Sequence, residues 1–341
     1  MGGGRAQEGV RVGDFVAEQP IAPILTDRGG AASAVADGIV AVSEARRAGR
    51  LSLLLERQSV LAGVLLAPTL IILTLFIAYP FALGIWLAVS DKVVGRPGVF
   101  VGLENFRVNL NDAIFLRAFQ NTFVYTFIAT TLKLALGMAV ALLLNQHFRF
   151  KRIVRASMLL PWIVPTVLST LAWQWMFDAT FSVFNWMLMN AGVISQRILW
   201  LGDGTLAMGC LITVNVWRGM PFFAITLLAG LQTVNPDLHE AAEIDGANAW
   251  QRFWRVTLPL IKPIMLVVVL FSMIATFADF QLIYVLTRGG PYSSTHVFGT
   301  YAYEIAMRAA KLGQGASISL SLFPFLLMVI IFQLWYIRRS D

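Results

Sequence analysis

The chain has 341 residues, 57% of them hydrophobic and only 13% charged, with a net charge of +7. Soluble domains carry about 25% charged residues, and the mean hydropathy of +0.71 excludes the pair of soluble domains that the length alone would allow. The basic excess lies beside apolar runs, where it orients a protein in a bilayer, so nucleic-acid binding is not expected.

Residues 1–30 are rich in Gly, Ala and Pro and read as disordered. Residues 31–58, dominated by Ala, Glu, Arg and Leu, suit a helix on the cytoplasmic face. Residues 1–58 are therefore read as a cytoplasmic extension, followed by a transmembrane domain over 59–341. No compact apolar segment ending at a small-residue cleavage site stands near the start, so no signal peptide is expected.

A helix of roughly 20 apolar residues crosses the hydrocarbon core. Residues 60–89, 118–144, 156–177, 206–230, 264–286 and 316–337 each satisfy this. The expected fold is an all-α integral membrane protein with about six transmembrane helices. Arg46, Arg47, Arg50 and Arg57 precede the first span, and Arg149, Lys151, Arg152 and Arg155 lie between the second and third. Arg252, Arg255 and Lys262 precede the core of the fifth, and Arg338 and Arg339 follow the sixth. The opposite loops are longer but hold fewer basic residues: Lys92, Arg96, Arg107, Arg117, Arg197, Arg288, Arg308 and Lys311. The positive-inside rule then places both termini in the cytoplasm. Trp162, Trp173, Trp175, Trp200 and Trp335 fall near span ends and are assigned to the headgroup zone. The lone Cys210 has no disulfide partner and is assigned to packing.

Ionisable residues inside a membrane are costly and mark pathways. Lys133 falls in the second span, Arg218 in the fourth and Asp279 in the fifth. Gly219 and Pro221 are placed to kink the helix beside Arg218. Asn215, Trp217, Gln281 and Tyr284 add hydrogen-bonding and stacking groups suited to a sugar. Each has a structural alternative: pairing within the bundle for the charges, interhelical hydrogen bonds for the amides. Asp279 is expected to pair with Lys133 or Arg218.

The loop over residues 231–263 reads LQTVNPDLHEAAEIDGANAWQRFWRVTLPLIKP. Asn235, Pro236 and Asp237 make a strong helix start, since Pro suits the first turn and Asp the positive end of the dipole. Leu238, Ala241 and Ala242 share one shallow face, and Gly246 permits a tight break. A second amphipathic stretch with Trp250, Phe253 and Trp254 follows, giving two short helices across the membrane face joined at the glycine. Such a pair suits either lipid or a cytoplasmic partner; the acidic Glu240, Glu243 and Asp245 weigh against an anionic lipid surface.

Glu240, Ala241, Ala242, then Gly246 six positions after the Glu, then Val256, Leu258 and Pro259, resemble the EAA signature of permease subunits in binding-protein-dependent ABC importers. Val256 stands where the family often has Ile. The longer EAAEIDGANAWQRFWRVTLPLIKP, with RASMLLPWIVPTVLSTLAWQWMF from Arg155 and LTRGGPYSSTHVFGTYAYEIAM from Leu286, is similar to the carbohydrate and glycerol-phosphate branch, the maltose-permease type.

The resemblance implies a type I importer permease in the bacterial cytoplasmic membrane that carries a sugar, oligosaccharide or glycerol phosphate. It implies that Glu240, Ala241, Ala242, Asp245, Gly246, Leu258 and Pro259 couple the chain to a separate ATPase. The implied partners are two ATPase copies, a second homologous permease, an extracytoplasmic solute-binding protein and membrane lipid. No G-x-x-x-x-G-K-[ST] loop is present, so ATP and Mg are expected in the ATPase and no cofactor in this chain, which is read as a transport subunit and not an enzyme. A secondary transporter or channel is the alternative; no clear internal repeat supports it, and it leaves the EAA segment unexplained.

Overall fold

The computed structural model describes residues 58–340. The readings made for the extension, including Arg46, Arg47, Arg50 and Arg57, lie outside the described residues. The chain divides into two compact units between Phe76 and Ile77. Described residues of the first unit are helical and belong to α1 (Val60–Ala88).

The second unit continues through α2 (Glu104–Leu110), α3 (Ala113–Asn145), α4 (Lys151–Ile163), α5 (Thr166–Met176) and α6 (Val183–Asn190). It then runs through α7 (Gly204–Leu231), α8 (Pro236–Ile244), α9 (Ala249–Phe277), α10 (Gln281–Leu286), α11 (Phe298–Tyr303) and α12 (Leu312–Tyr336). Among the described residues, five helices (α1, α3, α7, α9 and α12) are long and apolar enough to cross a membrane, and a sixth span results if α4 and α5 count as one.

The core is built on α3 against α7. Tyr125 and Ala129 of α3 meet Leu211 and Val214 of α7 together with Leu282 and Ile283 of α10. Farther along, Met138 and Ala141 meet Phe223 and Leu227, with Ile261 and Val268 of α9. Cys210 is buried in the first cluster, as its packing assignment requires.

Two glycines set the approach of α3 to α7, as small residues do where membrane helices pack closely. A methyl group on Gly137 would collide with the Phe223 side chain, and one on Gly219 would lie 2.5 Å from Cδ of Lys133. Gly137→Val is accordingly expected to cost about 1–3 kcal/mol through overpacking, read as a lower unfolding midpoint of the purified protein in detergent. An unchanged midpoint would show that the pair can spread without loss.

Three departures from the sequence expectation have local causes. The third span is bent by 90° between α4 and α5. Pro165 supplies no N–H and disfavours helical geometry at the residue before it. That residue, Val164, is extended, with φ −63° and ψ 130°. The fifth span does not run over 264–286: α9 starts at Ala249 and stops at Phe277, and α10 is separate. Finally, the expected second interfacial helix is the first part of α9 itself, joined through a π-helical turn at Phe253–Thr257. Pro259, just beyond that turn, has no N–H to return to the chain, which favours such a bulge.

Candidate functional site

Two sets of residues carry chemistry, one at the α8–α9 junction and one inside the bundle. At the junction Asn235 caps α8, its side chain accepting from Asp237 N at 3.0 Å, and Pro236 occupies the first turn. The last turn closes with Asp245 N donating to Ala241 O, Gly246 N to Glu243 O and Ala247 N to Ala242 O. Gly246 has φ +80°, in the left-handed region that favours glycine. The chain then re-enters a helix at Asn248, which exchanges hydrogen bonds of 2.9 Å with Gln251 in a capping box. Arg252 of α9 forms an ion pair with Glu243 of α8, fixing the two helices to each other.

Much of the apolar surface of α8 has no cover among the described residues. Ile244 is 86% exposed, Leu238 is exposed, and Ala241 beside the half-buried Ala242 leaves a shallow step. Glu240 and Asp245 are exposed as well. Leu258 and Pro259 lie inside α9. The sequence reading does not assign Asn248 or Arg252 to this junction; the Asn-x-x-Gln spacing is the signal that marks the first.

Inside the bundle, the break between α9 and α10 places the buried Asp279 opposite α3 and α7. Its Oδ2 accepts from the Tyr125 hydroxyl at 2.8 Å, Asn215 Nδ2 at 2.9 Å and Arg218 Nη2 at 3.3 Å. Arg218 Nη1 donates to Thr166 Oγ1 at 2.8 Å, at the start of α5. The ion pair expected for Asp279 is thus made with Arg218. Lys133 instead crosses Gly219 and donates to Thr276 Oγ1 at 2.9 Å.

These groups border a cavity of about 540 Å³. Lys133, Thr166, Asn215, Arg218, Ser272 and Thr276 supply its polar lining, and Trp162, Phe222, Phe223 and Phe271 its aromatic lining. Trp162, assigned to the headgroup zone from sequence, stacks on Phe222 at 6.3 Å and faces this cavity. Trp173 is likewise packed in an aromatic cluster with Phe177, Phe184 and Trp217.

Trp217, Gln281 and Tyr284, expected along the pathway, do not line the cavity. Trp217 stands edge-on to Trp173, Gln281 is exposed, and Tyr284 stacks on Phe280 and stands edge-on to Tyr303. Pro221 lies inside α7, which runs unbroken from Gly204 to Leu231.

The model of the family described as binding-protein-dependent transport system inner membrane component matches residues 133–341. The trehalose/maltose transport system permease protein MalF of Thermococcus litoralis is 34% identical over 283 residues, covering 83% of this chain and 94% of its own length. The sulfoquinovosyl glycerol transport system permease protein SmoG of Agrobacterium fabrum is 33% identical over 283 residues, covering 82% and 91%. Among solved structures, a chain of a bacterial ABC transporter involved in import of the acidic polysaccharide alginate matches with a TM-score of 0.73. Its identity is 24%, over 85% of this chain and 99% of that one, and it shares the type I importer permease fold. A bacterial alginate ABC transporter in complex with an alginate pentasaccharide-bound periplasmic protein matches with a TM-score of 0.72 at 23% identity, over 84% and 96%.

Proposed function

The chain belongs to the binding-protein-dependent transport system inner membrane components, and on that premise we propose that it carries a carbohydrate-type solute across the cytoplasmic membrane, driven by a separate ATPase docked on α8. The observation that carries the coupling half of this reading is α8 itself: a capped helix with Leu238 and Ile244 exposed, held at a fixed angle by the Glu243–Arg252 pair. In this reading Ala241 and Ala242 form the knob that enters the ATPase, Glu240 and Asp245 contact its rim, and Gly246 makes the turn. Leu258 and Pro259 set the path into the membrane.

The carbohydrate half is supported by the relatives named for trehalose, maltose and sulfoquinovosyl glycerol transport, and by a cavity lined with both aromatic faces and hydrogen-bonding groups. The working assembly holds two ATPase copies that use ATP and Mg, a second homologous permease and an extracytoplasmic binding protein. Both termini and α8 lie on the cytoplasmic side, where Arg149, Lys151, Arg152 and Arg155 gather.

Co-purification tests the docking. The tagged chain is expected to bring down its ATPase, and Ala242→Trp to reduce the recovered ATPase at least about tenfold while the permease stays in the membrane, because a bulky ring fills the step that the partner must enclose. Equal recovery from both would reject α8 as the docking element.

A further inference from the structure

The buried cluster does not balance its charge. Lys133 and Arg218 bring two cations and Asp279 one carboxylate, and that carboxylate is engaged by Arg218, Tyr125 and Asn215. Among the described residues, Lys133 has no carboxylate within ion-pair distance; the residue is 4% exposed and its ammonium donates to the Thr276 hydroxyl. A buried cation is stable only with an opposite charge or a full set of acceptors.

Two neighbours on the same wall also lack partners. Asn215 Oδ1 and Ser272 Oγ are buried with no hydrogen bond among the described residues, on residues 3% and 6% exposed. Buried polar atoms without partners are uncommon, and these two residues line the cavity together with Lys133. The wall around a space of about 540 Å³, within the range of small-molecule sites, therefore holds one ammonium and, packed beside it, an amide oxygen and a hydroxyl that have no partner among the described residues.

Resting on the reading of the chain as a carbohydrate-type permease, we infer that the cavity takes an anionic, hydroxyl-bearing solute and that Lys133 selects its charge. The solute's carboxylate, sulfonate or phosphate meets the Lys133 ammonium in a charge-assisted hydrogen bond. Its ring lies against Trp162 and Phe222, and its entry parts the wall so that its hydroxyls reach the buried Asn215 Oδ1 and Ser272 Oγ. Gly219 is part of the device, since any larger residue there would block the stem of Lys133.

The test is calorimetric titration of the assembled permease–ATPase complex in detergent, without the binding protein, using glucuronate against glucose. Wild type is expected to bind glucuronate at least about tenfold more tightly, Lys133→Gln to erase that difference and Lys133→Arg to keep it. If glucose binds as tightly as glucuronate, or Lys133→Gln keeps the preference, the charge assignment is overturned while the carbohydrate reading stands. If neither sugar binds wild type, the carbohydrate reading of this cavity fails and the inference with it. The wild-type comparison stands even where a variant fails to assemble.

Discussion

Gly246→Asp is expected to abolish solute uptake while the permease remains in the membrane at near-normal amounts. The backbone there has φ +80°, and a residue with a Cβ is disfavoured in left-handed geometry by about 1–2 kcal/mol. Among the described residues no side chain crowds the position, so the substitution acts on the turn and not on packing. To relieve the strain, the turn must relax, and relaxing it rotates α8 against α9 and pulls Glu243 from Arg252. The added carboxylate also sits at the negative end of α8, next to Asp245, where it is repelled. Uptake should fall more than about tenfold and permease-stimulated ATP hydrolysis should lose its dependence on solute, whereas Gly246→Asn, which tolerates left-handed geometry and adds no charge at the negative end of α8, should retain a measurable part of both. Normal uptake by the Asp variant would sink the coupling assignment.

Asp279→Ala is expected to produce the largest loss of stability. The change removes one acceptor oxygen shared by three donors and leaves the Arg218 guanidinium, with its side chain only 23% exposed, without an anion. Breaking a buried pair by deleting one partner costs about 3–5 kcal/mol, to be read from unfolding in mixed micelles. The double variant Arg218→Met with Asp279→Leu should recover much of that loss, because replacing both charges by apolar groups removes the uncompensated one. A loss below about 1 kcal/mol for the single change would mean that the network does not hold α3, α7 and the α9–α10 break together.

The charged members of the bundle site are legible in the sequence because charges in apolar spans stand out, and Asp279 does meet one of its two expected cations. Which one it meets depends on the register of α3 against α7, set by Gly137 and Gly219, and that contact leaves no periodic trace. Thr276 and Ser272 are not legible for another reason. Hydroxyl residues in spans commonly bond back to their own helix, as Thr276 does to Ser272 O at 2.6 Å, so their composition does not announce a cavity. That Trp162 lines the cavity is not legible either, because proximity to a span end says nothing of the direction in which a ring points. The end of the fifth span is misjudged because Gln281–Leu286 is apolar enough to continue it, whereas the backbone breaks at Ala278 to admit Asp279. At α8 the opposite holds: the Asn235 cap, Pro236 in the first turn and Gly246 in left-handed geometry are local features, and each sits where the sequence places it.

The continuity of α9 has a mechanical meaning. Its first residues are clamped to α8 by Arg252, and Phe271, Ser272 and Thr276 on the same helix form one wall of the cavity. At a rise of about 1.5 Å per residue, that wall stands roughly 30 Å along the helix from the clamp. A rod of this kind leaves little slack: under the proposed docking, a push delivered to α8 arrives at the cavity as a shift of its wall, with the π turn at Phe253–Thr257 and the missing hydrogen bond at Pro263 as the places that absorb the stroke. In the proposed assembly motor and gate share one beam, and the stiffness of that beam at the π turn and at Pro263 sets how much of each power stroke reaches the cargo.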